Sequence, residues 1–159
     1  MAGSQTPATR AASQAGIDYT VHSYEHDPRA ESYGQEAADA LGVDAHRVFK
    51  TLVARTDSGD LVCGVVPVRC QLDVKALARA VGAKKATMAP ATEAERATGY
   101  VLGGISPLGQ KRSLPTVVDV TAEQHATVLV SAGRRGLEIE LSPADLCAMT
   151  AGTTAPIAR

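Results

Sequence analysis

Val48-Phe49-Lys50-Thr51-Leu52-Val53-Ala54-Arg55-Thr56-Asp57-Ser58-Gly59-Asp60-Leu61-Val62-Cys63-Gly64-Val65-Val66-Pro67-Val68 reads as two strands around a turn. Val48–Arg55 and Leu61–Val68 are short apolar runs rich in β-branched residues. A polar stretch ending in Ser58-Gly59-Asp60 separates them, which predicts a hairpin. One residue breaks the apolar pattern. An unpaired ammonium is costly away from water, so Lys50 is either a strand-edge lysine reaching solvent or a cation facing a carbonyl or phosphate in a pocket.

Helices and further strands surround the hairpin. Thr6-Pro7 and Gly16 bracket a first helix. Ile17–His26 reads as a strand with Val21 and Ser23 on one face and His22, Tyr24 and His26 on the other. Ser32 and Gln35 form a capping box for a helix ending near Leu41-Gly42. Asp73 caps the next helix, Leu72 and Leu77 supply its staple, and Gly82 ends it. Lys84–Met88 predicts a short strand, and Ala91–Thr98 a short helix. Strands over Thr116–Val120, Thr127–Ser131 and Leu137–Leu141 follow. Thr121 and Gln124 box a short helix between the first two, and Gly133–Gly136 turns between the last two. Ser142-Pro143 opens the final helix. Interspersed helices and hairpin-linked strands predict a mixed α+β fold, taken as one domain over residues 1–159.

Composition narrows the function. The 159 residues carry a net charge of −1, no Trp, one Phe and four Tyr. This argues against a generally basic nucleic-acid binder and against aromatic base-stacking platforms. No apolar run reaches membrane-spanning length, and no secretory signal is visible. Cys63, Cys70 and Cys147 are odd in number and lack CxxC spacing, which predicts reduced thiols and a cytoplasmic setting. Charge is unevenly spread. Residues 18–60 hold nine acids and four bases, whereas residues 84–135 hold seven bases and four acids. The second segment includes Lys84-Lys85, Lys111-Arg112 and Arg134-Arg135, a candidate phosphate-facing side.

Thr98-Gly99-Tyr100-Val101-Leu102-Gly103-Gly104-Ile105-Ser106-Pro107-Leu108-Gly109-Gln110-Lys111 is the other informative stretch. Its glycines permit positive φ and close backbone approach, and successive N–H groups in such a turn can face a carbonyl or anion. A surface loop has the same composition. His22 and His26 have no further His or Cys cluster to complete a metal shell, so Tyr24 is the better pocket candidate on that face. Cys63 and Cys147 read as apolar strand and helix positions. No GxSxG, HExxH or P-loop is present. No metal and no cofactor is expected.

Together, His22-Ser23-Tyr24-Glu25-His26-Asp27-Pro28, Val48-Phe49-Lys50-Thr51-Leu52, Gln71-Leu72-Asp73, Gly82-Ala83-Lys84-Lys85, the Thr98–Lys111 loop and Ser131–Glu140 resemble the YbaK/EbsC family in order and spacing. The resemblance runs from about Thr6 to the C-terminus. It implies a mixed, mostly antiparallel sheet rolled into a six-stranded barrel-like core with helices outside. It also implies a free-standing trans-editing hydrolase that deacylates Cys-tRNA(Pro), with mischarged tRNA(Pro) and, transiently, prolyl-tRNA synthetase as partners. Within it, Lys50 is the essential lysine. Gly103, Gly104, Ile105 and Ser106 form the loop at the scissile ester. Tyr24, Thr51, Ser131 and Glu138 bind substrate, and Lys84, Lys85, Lys111, Arg112, Arg134 and Arg135 face the tRNA. The family commonly has Asp where this chain has Glu138, which reaches one methylene further. The implied chemistry needs no enzyme nucleophile, because the cysteinyl thiol attacks its own ester carbonyl. The alternatives are editing of another small residue such as alanine, and a binding module that does not hydrolyse.

Overall fold

The computed structural model describes residues 5–30 and 32–159. The hairpin is present: β2 (Phe49–Thr56) and β3 (Leu61–Pro67) pair antiparallel, with Lys50 opposite Val66. It forms the middle of a five-stranded sheet of order β4-β2-β3-β5-β8. Here β4 is Ala86–Met88, β5 is Thr116–Asp119 and β8 is Thr153–Ala155. β4 joins β2 antiparallel, whereas β3–β5 and β5–β8 run parallel. A second sheet has the order β1-β7-β6, all antiparallel, from β1 (Tyr19–Ser23), β6 (Val128–Arg134) and β7 (Leu137–Leu141).

The α+β class and the antiparallel majority stand. Closure into a six-stranded barrel does not appear in the pairing among the described residues. Among the described residues, one parallel backbone bridge, Val48 to Leu129, links the two sheets. Between them lies the main core, which includes Phe49, Val53, Val65, Val130, Ile139 and Leu141. Buried apolar area of this kind is the dominant stabilising term, about 25 cal/mol per Å².

The helices follow the caps in the sequence. Thr6 and Thr9 cap each other's backbone at the start of α1 (Pro7–Ala15). Ser32 accepts from the Gln35 amide to begin α2 (Tyr33–Leu41), but the Gln35 side chain turns to Asp39 and Arg69 instead of closing the box. Asp73 caps α3 (Val74–Ala80), and Leu72 and Leu77 are buried in one cluster. α4 (Ala91–Thr98) and α5 (Pro143–Thr150) lie where expected.

Three boundaries differ for physical reasons. β1 ends at Ser23 because, beyond the Tyr24 amide's bond to the Gly136 carbonyl, Glu36 captures the His26 ring and the Asp27 amide. β6 runs on to Arg134 through a bulge, so the expected turn shrinks to the residues just before Leu137. Asp119, not Thr121, starts the short 3-10 turn Val120–Gln124. Its carboxylate also holds the amides of Ile157 and Ala158.

Candidate active site

A cleft of about 460 Å³ opens between the two sheets and the start of α2. β2 supplies Phe49, Lys50, Thr51 and Leu52. Tyr24 follows β1, and Ser131 and Glu138 come from β6 and β7. Leu102, Gly103 and Ile105 come from the glycine-rich loop, and Ser32, Tyr33 and Gly34 from α2. Gly104 and Ser106 stand behind this lining.

Lys50 is half-buried, and among the described residues its ammonium has no hydrogen bond or ion pair. Burial pushes its pKa down, and the Cys70 thiol acts weakly the other way. A cation held partly dry and unpaired is primed for an anionic or carbonyl ligand. Thr51 Oγ1 is the one buried side-chain oxygen or nitrogen among the described residues without a hydrogen-bond partner. A buried polar atom left unmatched costs about 1–3 kcal/mol.

Glu138 is only 7% exposed. It sits opposite His22 on β1 and Ser131 on β6. Burial raises its pKa to about 8, so at neutral pH it is mainly the neutral acid. Tyr24 is raised to about 12, first by burial and then by the Glu138 charge. That second influence acts only once Glu138 ionises. Two residues along, Glu140 is different. It binds Thr127, His22 and Arg47, and these bonds hold its pKa below the ordinary value.

The contrast gives a pH prediction. Unfolded, the Glu138 carboxyl titrates near 4.5; folded, near 8. Between these values the folded chain keeps a proton that the unfolded chain releases. Stability present below pH 4.5 is therefore lost as pH rises towards 8. Glu138→Gln removes this loss. Its unfolding free energy should fall less than that of wild type across that window, with a gap on the order of a few kcal/mol at the alkaline end. Parallel pH–stability curves would show that Glu138 does not titrate there.

The glycine-rich loop is tied at both ends. Lys111 and Arg112 amides cap the Thr98 and Ala97 carbonyls at the end of α4, and the buried Tyr100 hydroxyl donates to the Leu108 carbonyl at 2.6 Å. On the cleft side, the Leu102 amide donates to Glu95 and the Gly104 amide to the Val101 carbonyl. The amides of Gly103 and Ile105 carry no hydrogen bond to a described residue. Gly104 packs on the β6–β7 turn so closely that a Cβ would lie 2.7 Å from Arg134 Cα. Ser106 is fully buried, with its hydroxyl accepting from Leu108 and its carbonyl from Gln110. Among the loop residues, Leu102, Gly103 and Ile105 line the cleft, and Ser106 packs behind them.

The six basic residues are exposed but fall in separate places. Lys84 and Arg112 line one groove, while Lys111 and Arg112 line another beside Arg55 and Arg96. Arg134 and Arg135 stand at the β6–β7 turn by the cleft. Arg135 is committed within the molecule: its guanidinium lies 4.1 Å over the Tyr33 ring and donates to the Leu102 carbonyl. Sequence reasoning passed over Tyr33, Phe49, Leu52 and Leu102. The available signal for Tyr33 was a rare aromatic at the first position of a helix.

The Aminoacyl-tRNA editing domain family matches residues 27–148. The chain is 38% identical over 156 residues to an Enterococcus faecalis protein named as a candidate Cys-tRNA(Pro)/Cys-tRNA(Cys) deacylase, EbsC, covering 96% of this chain and 93% of that one. It is 28% identical to the Escherichia coli multifunctional Ser/Thr-tRNA deacylase ProXp-y, over 84% of this chain and 80% of the relative. A solved structure described as a candidate trans-editing enzyme for prolyl-tRNA synthetase superposes with a TM-score of 0.84 at 25% identity, covering 98% of this chain and 99% of the other. Among the described residues, no helix is long and apolar enough to cross a membrane.

Proposed function

The chain belongs to the aminoacyl-tRNA editing domain family and is an aminoacyl-tRNA deacylase; from that premise we propose that its substrate is Cys-tRNA(Pro). The observation that carries this reading is a cleft with an unpaired cation and free loop amides, but no cysteine or histidine in its lining. Such a site can hold and polarise an ester. Among the described residues no hydroxyl in its lining is hydrogen-bonded to Lys50 or Glu138, so it does not present the nucleophile–base pair of a covalent hydrolase. The attacking group then comes with the substrate. The cysteinyl sulfur adds to its own ester carbonyl, and the C–O bond to the terminal ribose breaks. The thiol proton passes to the departing oxygen, and a cyclic thiolactone leaves.

Lys50 anchors the terminal ribose or a phosphate and orients the ester. The amides of Gly103 and Ile105 receive the oxyanion, where one well-placed donor is worth about 2.7–4 kcal/mol. Tyr24, Thr51, Ser131 and Glu138 line the aminoacyl end, and Thr51 Oγ1 gains its missing partner there. The identity of 38% to EbsC favours cysteine. The likeness to ProXp-y keeps other small polar residues as the second reading. Deacylation of cysteinyl-, seryl-, alanyl- and prolyl-tRNA(Pro) tests both. Activity on alanyl ester equal to that on cysteinyl would require water as nucleophile, and no turnover of any would leave a binding module.

Transient pairing with prolyl-tRNA synthetase belongs to the same reading. So does a tRNA-facing surface made by the basic residues. Replacing Lys84, Lys85, Lys111, Arg112 and Arg134 by Ala should raise KM and flatten its salt dependence, by about one unit of log–log slope per lost phosphate contact. An unchanged slope would make these residues merely solvated.

A further inference from the structure

Gly103 is pinched between side chains from two other elements. A Cβ there would come within 2.6 Å of both Arg135 Nε and Tyr33 Cε2. Arg135 Cζ stands 4.1 Å from the Tyr33 ring centroid, and Arg135 Nη2 donates 2.8 Å to the Leu102 carbonyl. Tyr33 in turn meets the His26 ring at 5.6 Å, and Glu36 holds His26 at 2.8 Å. The Leu102 peptide is gripped on its other side as well, through its amide and Glu95 at 2.7 Å. One guanidinium thus ties the β6–β7 turn, the first residue of α2 and the cleft side of the glycine loop together. A guanidinium can stack on a ring face and donate in its plane at once, which a lysine ammonium cannot.

We propose that Arg135 is a positioning residue that fixes the Leu102–Gly103 segment, and with it the Gly103 amide, against the cleft, and that it does not serve as a phosphate contact. Gly103 has φ +88° and no room for a side chain, so its placement depends on what packs around it. The inference rests on the deacylase reading for its kinetic consequence, but not for its structural one.

Arg135→Ala, Arg135→Lys and Tyr33→Leu in the full chain test it, by steady-state deacylation of Cys-tRNA(Pro) across a salt series and by amide hydrogen exchange. Both Arg135 variants should lower kcat by about tenfold or more with KM and salt slope nearly unchanged, since a misplacement of about 1 Å costs up to about a hundredfold. The hydrogen-bonded amides of Leu102 and Gly104 should exchange faster, while those of the β2–β3 hairpin stay protected. Tyr33→Leu should loosen the same amides, and combining it with Arg135→Ala should loosen them no further. Unchanged exchange at Leu102 and Gly104, or a raised KM with a flattened salt slope, overturns the proposal. Exchange is read without turnover. If wild-type protein fails to deacylate Cys-tRNA(Pro), the cysteinyl-substrate reading fails alone and exchange still decides whether Arg135 holds the loop.

Discussion

Lys50→Ala is expected to lose at least about a hundredfold in deacylation, the loss typical when one electrostatic stabiliser is removed from a water-poor site. The fold should survive. The Lys50 ammonium makes no hydrogen bond or ion pair with a described residue, and burial already disfavours its charge. Removing it therefore relieves desolvation and takes no contact from the core, whose β2 members are Phe49 and Val53. The melting temperature should stay level or rise slightly. Lys50→Arg keeps the charge but is broader and planar, and should recover only part of the activity. Single-turnover rates beside thermal melts check all three statements. Activity of Lys50→Ala within about threefold of wild type, some 0.6 kcal/mol, would sink the assigned role.

Lys50 also shows what the sequence makes legible. Strand β2 announces itself by β-branched and apolar residues, and its turn by polar residues and glycine, because both signals are local. Helix caps are local too, so Thr6, Ser32, Asp73 and Ser142 mark their helices correctly. A lysine in such a strand is visible as an anomaly, but its neighbours in space are not. Tyr33 reaches the cleft only because α2 packs against the end of β3 beside Gly34, and Arg135 reaches Tyr33 only across the glycine loop. Charge pattern alone groups Arg135 with Arg134. Tertiary contact separates them, giving Arg135 an aromatic face and a carbonyl while Arg134 stays exposed. β8 is missed for a simpler reason: three residues carry no periodicity, and a parallel edge strand has no hairpin turn to signal it. The division into two sheets depends on long-range register in the same way.

The second large effect concerns sulfur. A variant with Cys63→Ala, Cys70→Ala and Cys147→Ala should keep most of its activity on Cys-tRNA(Pro). Cys63 is fully buried, and burial raises its thiol to about 11. Gln110 donates to it but also to the Ser106 carbonyl, so the amide keeps a partner after substitution. Burial raises Cys147 as well. Cys70 is close enough to influence Lys50, yet it does not line the cleft. The sulfur that matters is then the substrate's, tethered near the ester carbonyl, where good orientation supplies up to about 7–11 kcal/mol of the barrier. Seryl-tRNA(Pro) offers the same geometry with a hydroxyl. A cysteine thiol is already a few per cent thiolate near pH 7 and is strongly nucleophilic, whereas a hydroxyl needs an adjacent base, and the carboxyl in the cleft lining, Glu138, is mainly protonated at that pH. Seryl ester should turn over on the order of a hundredfold more slowly or worse. The cysteinyl rate should climb with pH as the substrate thiol ionises. A folded cysteine-free variant without activity, or an acyl-enzyme detected by mass spectrometry, would show that an enzyme thiol takes part; equal cysteinyl and seryl rates would point to water as the attacking group.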